Sequence, residues 1–323
     1  MITLEALRAP IAAELRQFNQ RFRDAMRSSV PLLDAITSYI VKTKGKQVRP
    51  MFVLLSARTA GNITEATYHA AALIELLHTA TLVHDDVVDD ASLRRGFFSI
   101  NALWKNKAAV LVGDYLLARG LLLSIEHQQY QLLQLVSEAV REMSEGELLQ
   151  MEKARNLSLS ESDYYQIISK KTASLIAAAC ASGAASANAA DEAVLQMKHF
   201  GYAAGMAFQM KDDLLDFTAA KSGKQAGADL REKKITLPLL IALQRASPSQ
   251  RRRIKIIVHE YPNDKNALGE LMQLFSGLGA IEYTQNKMEE FRKQALLHLN
   301  YFPPSPFREA LAGLVDFTIH RNY

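Results

Sequence analysis

A chain of 323 residues that is 49% hydrophobic and 22% charged, with 15 glycines and 9 prolines, can bury a large core and is neither disordered nor fibrous in composition. Its formal charge of +4 is mild, and the one dense basic run, Arg251-Arg252-Arg253 with Lys255, reads as a solvated helix start after Ser247-Pro248-Ser249 rather than a nucleic-acid face. The single cysteine, Cys180, excludes an internal disulfide and a cysteine-rich zinc site, and its Ala-rich setting reads as a small core position in a protein of the reducing cytoplasm.

Along the chain, helical spacing dominates. The opening "MITLEALRAPIAAELRQF" mixes apolar and charged positions and lacks the apolar core of a signal peptide. Pro31 and Pro50 mark boundaries, and the basic segment "GKQVRP" lies just before the second of them. Apolar residues then recur every three or four positions over 66–90, 108–125 and 131–153. The stretch 172–190 carries no charge and is the only one that suggests a membrane span. Its Ala, Ser, Gly and Asn content argues instead for closely packed helices, because a spanning helix needs mostly large apolar residues over ~20 positions. A further helical pattern covers 191–217, and "IKIIVHEY" at 254–261, although strand-like, is isolated and reads as helix. Pro238, Pro248, Pro262 and the 303–306 cluster mark later boundaries, while strand alternation and hairpin turn pairs are nearly absent. The expectation is an all-α chain, a single domain over 1–323 built from roughly ten or more helices, with no integral membrane span.

Two acidic clusters echo each other: "DDVVD" at 85–89 and "DDLLD" at 212–216, each ending a long apolar helix pattern. A helix turns ~100° per residue, so Asp85 and Asp89 share a face, Asp86 lies toward the same side, and the two valines turn into the core. Asp212, Asp213 and Asp216 repeat the arrangement. Magnesium suits such a face, since it takes one or two carboxylates and completes its octahedron with water and phosphate oxygens. One cluster alone could be a solvated helix end; two on separate apolar helices point to metal. Separated cations accompany them: Lys46, Arg49, Arg94, Arg95, Lys171 and Lys234. Arginine forks and lysine point charges beside acids make a diphosphate-binding composition without a P-loop or a G-x-G-x-x-G. His78, seven residues before Asp85, shares its helical face two turns deeper, whereas His84 points elsewhere and reads as structural.

The segments "GKQVRP", "LLHTATLVHDDVVDDASLRRG", "GDYLLARG", "KKTASLI", "AFQMKDDLLDF" and "KKITLP" together resemble the trans-isoprenyl diphosphate synthases, in particular the longer-chain, octaprenyl-like polyprenyl branch. They occur in the family's order and span 45–238. The resemblance implies an isoprenoid synthase fold with a central cavity, a homodimer, and magnesium-dependent head-to-tail condensation of isopentenyl diphosphate with an allylic diphosphate. By motif position, Asp85, Asp86 and Asp89 would be the first metal set, and Asp212 and Asp216 the second. Arg94 would hold the allylic diphosphate, and Lys46, Arg49, His78 and Arg95 the isopentenyl diphosphate. Lys171, Thr172, Gln209 and Lys234 would face the allylic diphosphate and the path of the cation. The residues expected to carry catalysis are Asp85, Asp89, Arg94, Lys171, Asp212 and Lys234. The small Ala80 and Thr81, a turn below the first cluster, imply a long product, because the family stops growth with an aromatic residue near that level. Departures from the family pattern are Lys44, Gln47, Lys211, Glu232 and Lys233. Three other readings compete: a class I terpene cyclase, a partner subunit of a heteromeric prenyl synthase, and a phosphohydrolase built on His84-Asp85. The second cluster's lack of Asn, Ser or His ligands weighs against the first and third, and intact acids in both clusters weigh against the second.

Overall fold

Helix starts follow from how the first unpaired N–H groups are satisfied. Ser99 accepts from the backbone of Ala102 to open a helix, and Asp264 accepts from Ala267. Ser160 with Asp163, and Ser247 with Gln250, form reciprocal capping boxes. Pro31 and Pro248 stand in the first helical turn, where a missing N–H loses nothing. The computed structural model describes residues 3–43, 45–94, 96–156, 160–218, 234, 236–261 and 264–320.

The described helices are α1 (Leu4–Arg8), α2 (Ala12–Ala25), α3 (Pro31–Lys42), α4 (Val48–Ala60), α5 (Glu65–Val88), α6 (Ile100–Glu126), α7 (Tyr130–Asn156), α8 (Glu161–Ile168), α9 (Ser174–Ser186) and α10 (Asp191–Thr218). After these come α11 (Leu237–Arg245), α12 (Pro248–Glu260), α13 (Lys265–Gly277), α14 (Ala280–Leu299) and α15 (Pro306–His320). The four long helical patterns read from the sequence correspond to α5, α6, α7 and α10, and the strand-like 254–261 segment falls largely in α12. One pair of two-residue strands, β1 (Leu93–Arg94) and β2 (Phe97–Phe98), forms an antiparallel hairpin between α5 and α6. Two residues are too few to show a period-two pattern, so the hairpin is invisible to periodicity.

The chain divides into two compact units, one comprising Met1–Val140, Ala178–Lys198 and Tyr301–Leu311, the other Arg141–Ala177, His199–Asn300 and Ala312–Tyr323. In the first, Phe18, Phe22, Met51, Phe52, Leu54, Leu73, Leu77 and Leu116 are buried. His84 leans on α6, its Nε2 lying 3.5 Å from Asp114 Oδ1, which agrees with its structural reading. The small residues of α9 permit a close approach to α4: a Cβ on Gly183 would stand 2.3 Å from the carbonyl oxygen of Val53. Cys180 is fully buried there, and burial pushes its thiol up to about 12. In the second unit, Tyr164, Met206, Met210, Leu237, Leu240, Ile254, Leu271 and Phe275 form the core. Arg251 and Arg252 are exposed at the start of α12, and Arg253 pairs with Glu270 at 2.5 Å, as a solvated helix start should.

Among the described residues, α6 is the helix long and apolar enough to cross a membrane by length and composition. The expectation that 172–190 was the only such stretch is corrected. The apolar residues of α6 are in part buried, as Ile100, Val112 and Leu116 are, and in part exposed, as Leu103, Val110, Leu111, Leu121, Leu122 and Ile125 are, and charges are interspersed among them.

Candidate active site

The first acidic cluster closes α5. The buried stripe of that helix, including Leu76, Ala80 and Val83, continues three residues on to Asp86, which is only 3% exposed. The expectation that both valines turn inward is corrected, because Val88 is 68% exposed. Val88 follows the buried Asp86 by two residues, about 200° of helical turn, so it faces the opposite way, while on the buried side β1 folds back and Arg94 Nε donates to Asp86 Oδ1 at 2.6 Å. Burial pushes the Asp86 carboxyl above its usual value, while the Arg94 guanidinium pulls it back. Asp85 is half-buried and Asp89 exposed at the helix end. Asp86, expected as a third metal carboxylate, accepts from Arg94 through Oδ1.

His78 is buried two turns deeper, and with Thr43, Asp86 and Arg94 it lines a narrow cavity of about 80 Å³. The basic turn before α4 is braced from two sides. Arg8 Nη2 donates to the Lys46 carbonyl at 2.5 Å, and Gln47 Nε2 donates to Asn19 Oδ1 at 2.8 Å. Gln47 adopts a left-handed φ of 53°, which turns the chain into α4. Lys46 is exposed and Arg49 half-buried. Ala80 is wholly buried, and Thr81, half-buried, donates its hydroxyl to the His78 carbonyl at 2.8 Å. Arg95, Lys44, Glu232 and Lys233 lie outside the described residues.

The second cluster lies in the other unit. Between α8 and α9 the segment Ser169–Ala173, "SKKTA", winds as a π-turn, a local widening of the helix found often at functional sites. Lys171 in this turn is ion-paired with Glu147 and lies 3.5 Å from Gln150 Oε1. Thr172 donates to Gln209 Oε1 at 2.7 Å. Helix α10 can lie this close because residue 205 is glycine; a Cβ there would stand 2.6 Å from Ala173 Cα. In the cluster itself Asp212 and Asp216 are half-buried, whereas Asp213 is 3% exposed. Asp213 accepts from Tyr164 Oη at 2.7 Å, from the Leu237 backbone at 3.1 Å, and from Gln209 Nε2 at 3.1 Å. Lys234, half-buried, stands three residues before that backbone donor.

Both clusters therefore divide their acids alike: the middle carboxylate is buried and hydrogen-bonded within its own unit, and the first and last are less buried. Sequence reasoning did not find Tyr164, Glu147 or the Asp213 hub. Only the i, i+4 spacing of Gln209 and Asp213 was available as a signal for the last.

Each unit thus sets paired, less buried carboxylates on a long helix, with cations and hydroxyls in the same unit. Residues 30–275 match the family model described as polyprenyl synthetase. The chain is 36% identical over 323 residues to the octaprenyl diphosphate synthase of Escherichia coli (strain K12), covering 99% of this chain and 100% of that one. It also matches the crystal structure of a decaprenyl diphosphate synthase from Rhodobacter capsulatus, with a TM-score of 0.93 and 34% identity over 99% of this chain and 100% of the other. A polyprenyl synthase from Caulobacter crescentus CB15, solved in complex with calcium and isoprenyl diphosphate, matches with a TM-score of 0.91 and 35% identity, over 99% of this chain and 98% of the other. The chain belongs to the polyprenyl synthetase family and is a prenyltransferase with the isoprenoid synthase fold.

Proposed function

We propose that this prenyltransferase condenses isopentenyl diphosphate head-to-tail with an allylic diphosphate in a magnesium-dependent reaction, giving a long trans-polyprenyl diphosphate. The observation that carries the reading is the shared division of the two clusters, each setting two less buried carboxylates four residues apart on one helix. That suits magnesium, which holds to one or two carboxylates and leaves other positions for water and phosphate. Asp85 and Asp89 would hold it at the first cluster, and Asp212 and Asp216 at the second. When bound, magnesium would neutralise the diphosphate and make it a better leaving group.

The chain's own residues do the rest. Arg94, fixed by Asp86, presents its remaining guanidinium donors to the allylic diphosphate. Lys171 and Lys234 face the same group and stabilise the charge that develops as the carbon–oxygen bond breaks. Thr172 and Gln209, already hydrogen-bonded, line the path of the allylic cation. Lys46, Arg49, His78 and Arg95 hold the isopentenyl diphosphate so that its double bond attacks that cation, after which a proton is lost. Small side chains at Ala80 and Thr81 leave room for a long chain. The apolar outer residues of α6 support a homodimer formed through that helix, since such a face is otherwise left to water. Full-length similarity to relatives supports 1–323 acting as one functional domain, and the buried lone cysteine suits the cytoplasm.

The test is turnover with labelled isopentenyl diphosphate. Asp85→Ala and Asp212→Ala each drop turnover to near background while the helical circular-dichroism signal stays. Full turnover in either variant refutes that residue's assignment. Chromatography of wild-type products from farnesyl and geranylgeranyl starters separates elongation from cyclisation and measures chain length.

A further inference from the structure

Tyr164 lies outside every motif of the site, yet from within the core it donates to the second cluster. Its ring is 2% exposed within the core of its unit, so the hydroxyl has little freedom to move. That hydroxyl donates to Asp213 Oδ2 at 2.7 Å. The same oxygen accepts from the Leu237 backbone at 3.1 Å, the first residue of α11, and so caps that helix from another part of the chain. Asp213 Oδ1 accepts from Gln209 Nε2 at 3.1 Å, and Gln209 in turn accepts from Thr172 at 2.7 Å. One buried carboxylate therefore ties together the π-turn carrying Lys171 and the chain entering α11, where Lys234 stands three residues upstream.

We infer that Tyr164 is a positioning residue for diphosphate binding: through Asp213 it sets where Lys171, Thr172 and Lys234 meet the allylic diphosphate. This rests on the assignment of those residues proposed above. The physical argument is one of alternatives. A buried carboxylate needs its donors, and losing one leaves it to seek another from the groups it holds. Without the tyrosine hydroxyl, Asp213 leans harder on Gln209 and the Leu237 backbone, and both cation-bearing segments can shift. A displacement of about 1 Å in such a group weakens binding and catalysis severely. The isopentenyl diphosphate contacts proposed above involve other residues, so their affinity should not change.

The experiment uses the full chain with magnesium and inorganic pyrophosphate as the probe, read by isothermal calorimetry, beside steady-state KM values for both substrates. Tyr164→Phe keeps the ring and removes only the hydroxyl. Its expected result is pyrophosphate binding weakened about tenfold, as for loss of one hydrogen bond to a charged group. The allylic KM rises by a similar factor, while the isopentenyl KM stays within twofold. Because the two residues act as one, Tyr164→Phe with Asp213→Asn should be no worse than Asp213→Asn alone. Pyrophosphate affinity within twofold of wild type in Tyr164→Phe, additive losses in the double variant, or a lowered melting temperature with both KM values unchanged would each overturn the inference. Lys171→Ala keeps the two levels apart. If it weakens pyrophosphate binding and Tyr164→Phe does not, the positioning role fails alone; if it binds as wild type does, the site assignment fails first.

Discussion

Gly205→Ala is the sharpest test of how packing sets this site. The added Cβ would stand 2.6 Å from Ala173 Cα and 3.0 Å from Ala173 Cβ. Apolar carbons rest at about 3.5–4.0 Å, so α10 and the π-turn must part by roughly 1 Å. The nearest atom is backbone, so no rotamer change can absorb the overlap. Taken alone, Gly→Ala inside a helix stabilises by about 0.5–1 kcal/mol, whereas overpacking costs about 1–3 kcal/mol. The net expectation is a modest loss of stability, between roughly 0 and 2.5 kcal/mol. Function should suffer more. The 2.7 Å bond from Thr172 to Gln209 bridges the same contact, and separation by about 1 Å would take it beyond hydrogen-bond range. The expected result is turnover lowered by one to two orders of magnitude, of the size that misplacement by ~1 Å produces. Gly269→Ala is the control, because a Cβ there meets nothing within 4 Å. It should stabilise by about 0.5–1 kcal/mol and leave turnover alone. Urea denaturation and a labelled-substrate assay on both variants decide the matter. If Gly205→Ala gains stability as Gly269→Ala does, and keeps full activity, the close-approach argument is wrong.

Acid should weaken the fold through histidines. Burial lowers His298, helped by His199 with ring centroids 5.0 Å apart, and lowers His69, helped by the stacked His127 at 3.9 Å. Each folded value lies below the unfolded value of 6.5, so the unfolded chain binds more protons as pH falls. This contribution to stability is present above pH ~6.5 and lost as pH falls through the lowered values. Urea midpoints at pH 7.5 and 5.5 should show a drop that His298→Gln and His69→Gln each reduce; equal drops in all three proteins would contradict the account. Ala80→Phe fills a wholly buried position below the first cluster and should shorten the product in chromatography. An unchanged product distribution would mean that the growing chain passes elsewhere.

Spacing alone disclosed the long helices, because a sustained 3.6-residue apolar rhythm in α5, α6, α7 and α10 has no strand alternative. It also disclosed the paired acids, since i, i+4 carboxylates share a face in any helix that holds them. Which member of each cluster is buried was decided elsewhere. Asp86 and Asp213 are buried because Arg94 on a hairpin and Tyr164 on another helix reach them, and neither reach is encoded in local periodicity. Local sequence determines what each segment can present, whereas the fate of a buried charge depends on partners distant in the chain. Burying a carboxylate is unfavourable until such a partner arrives, so only the tertiary structure could make that choice.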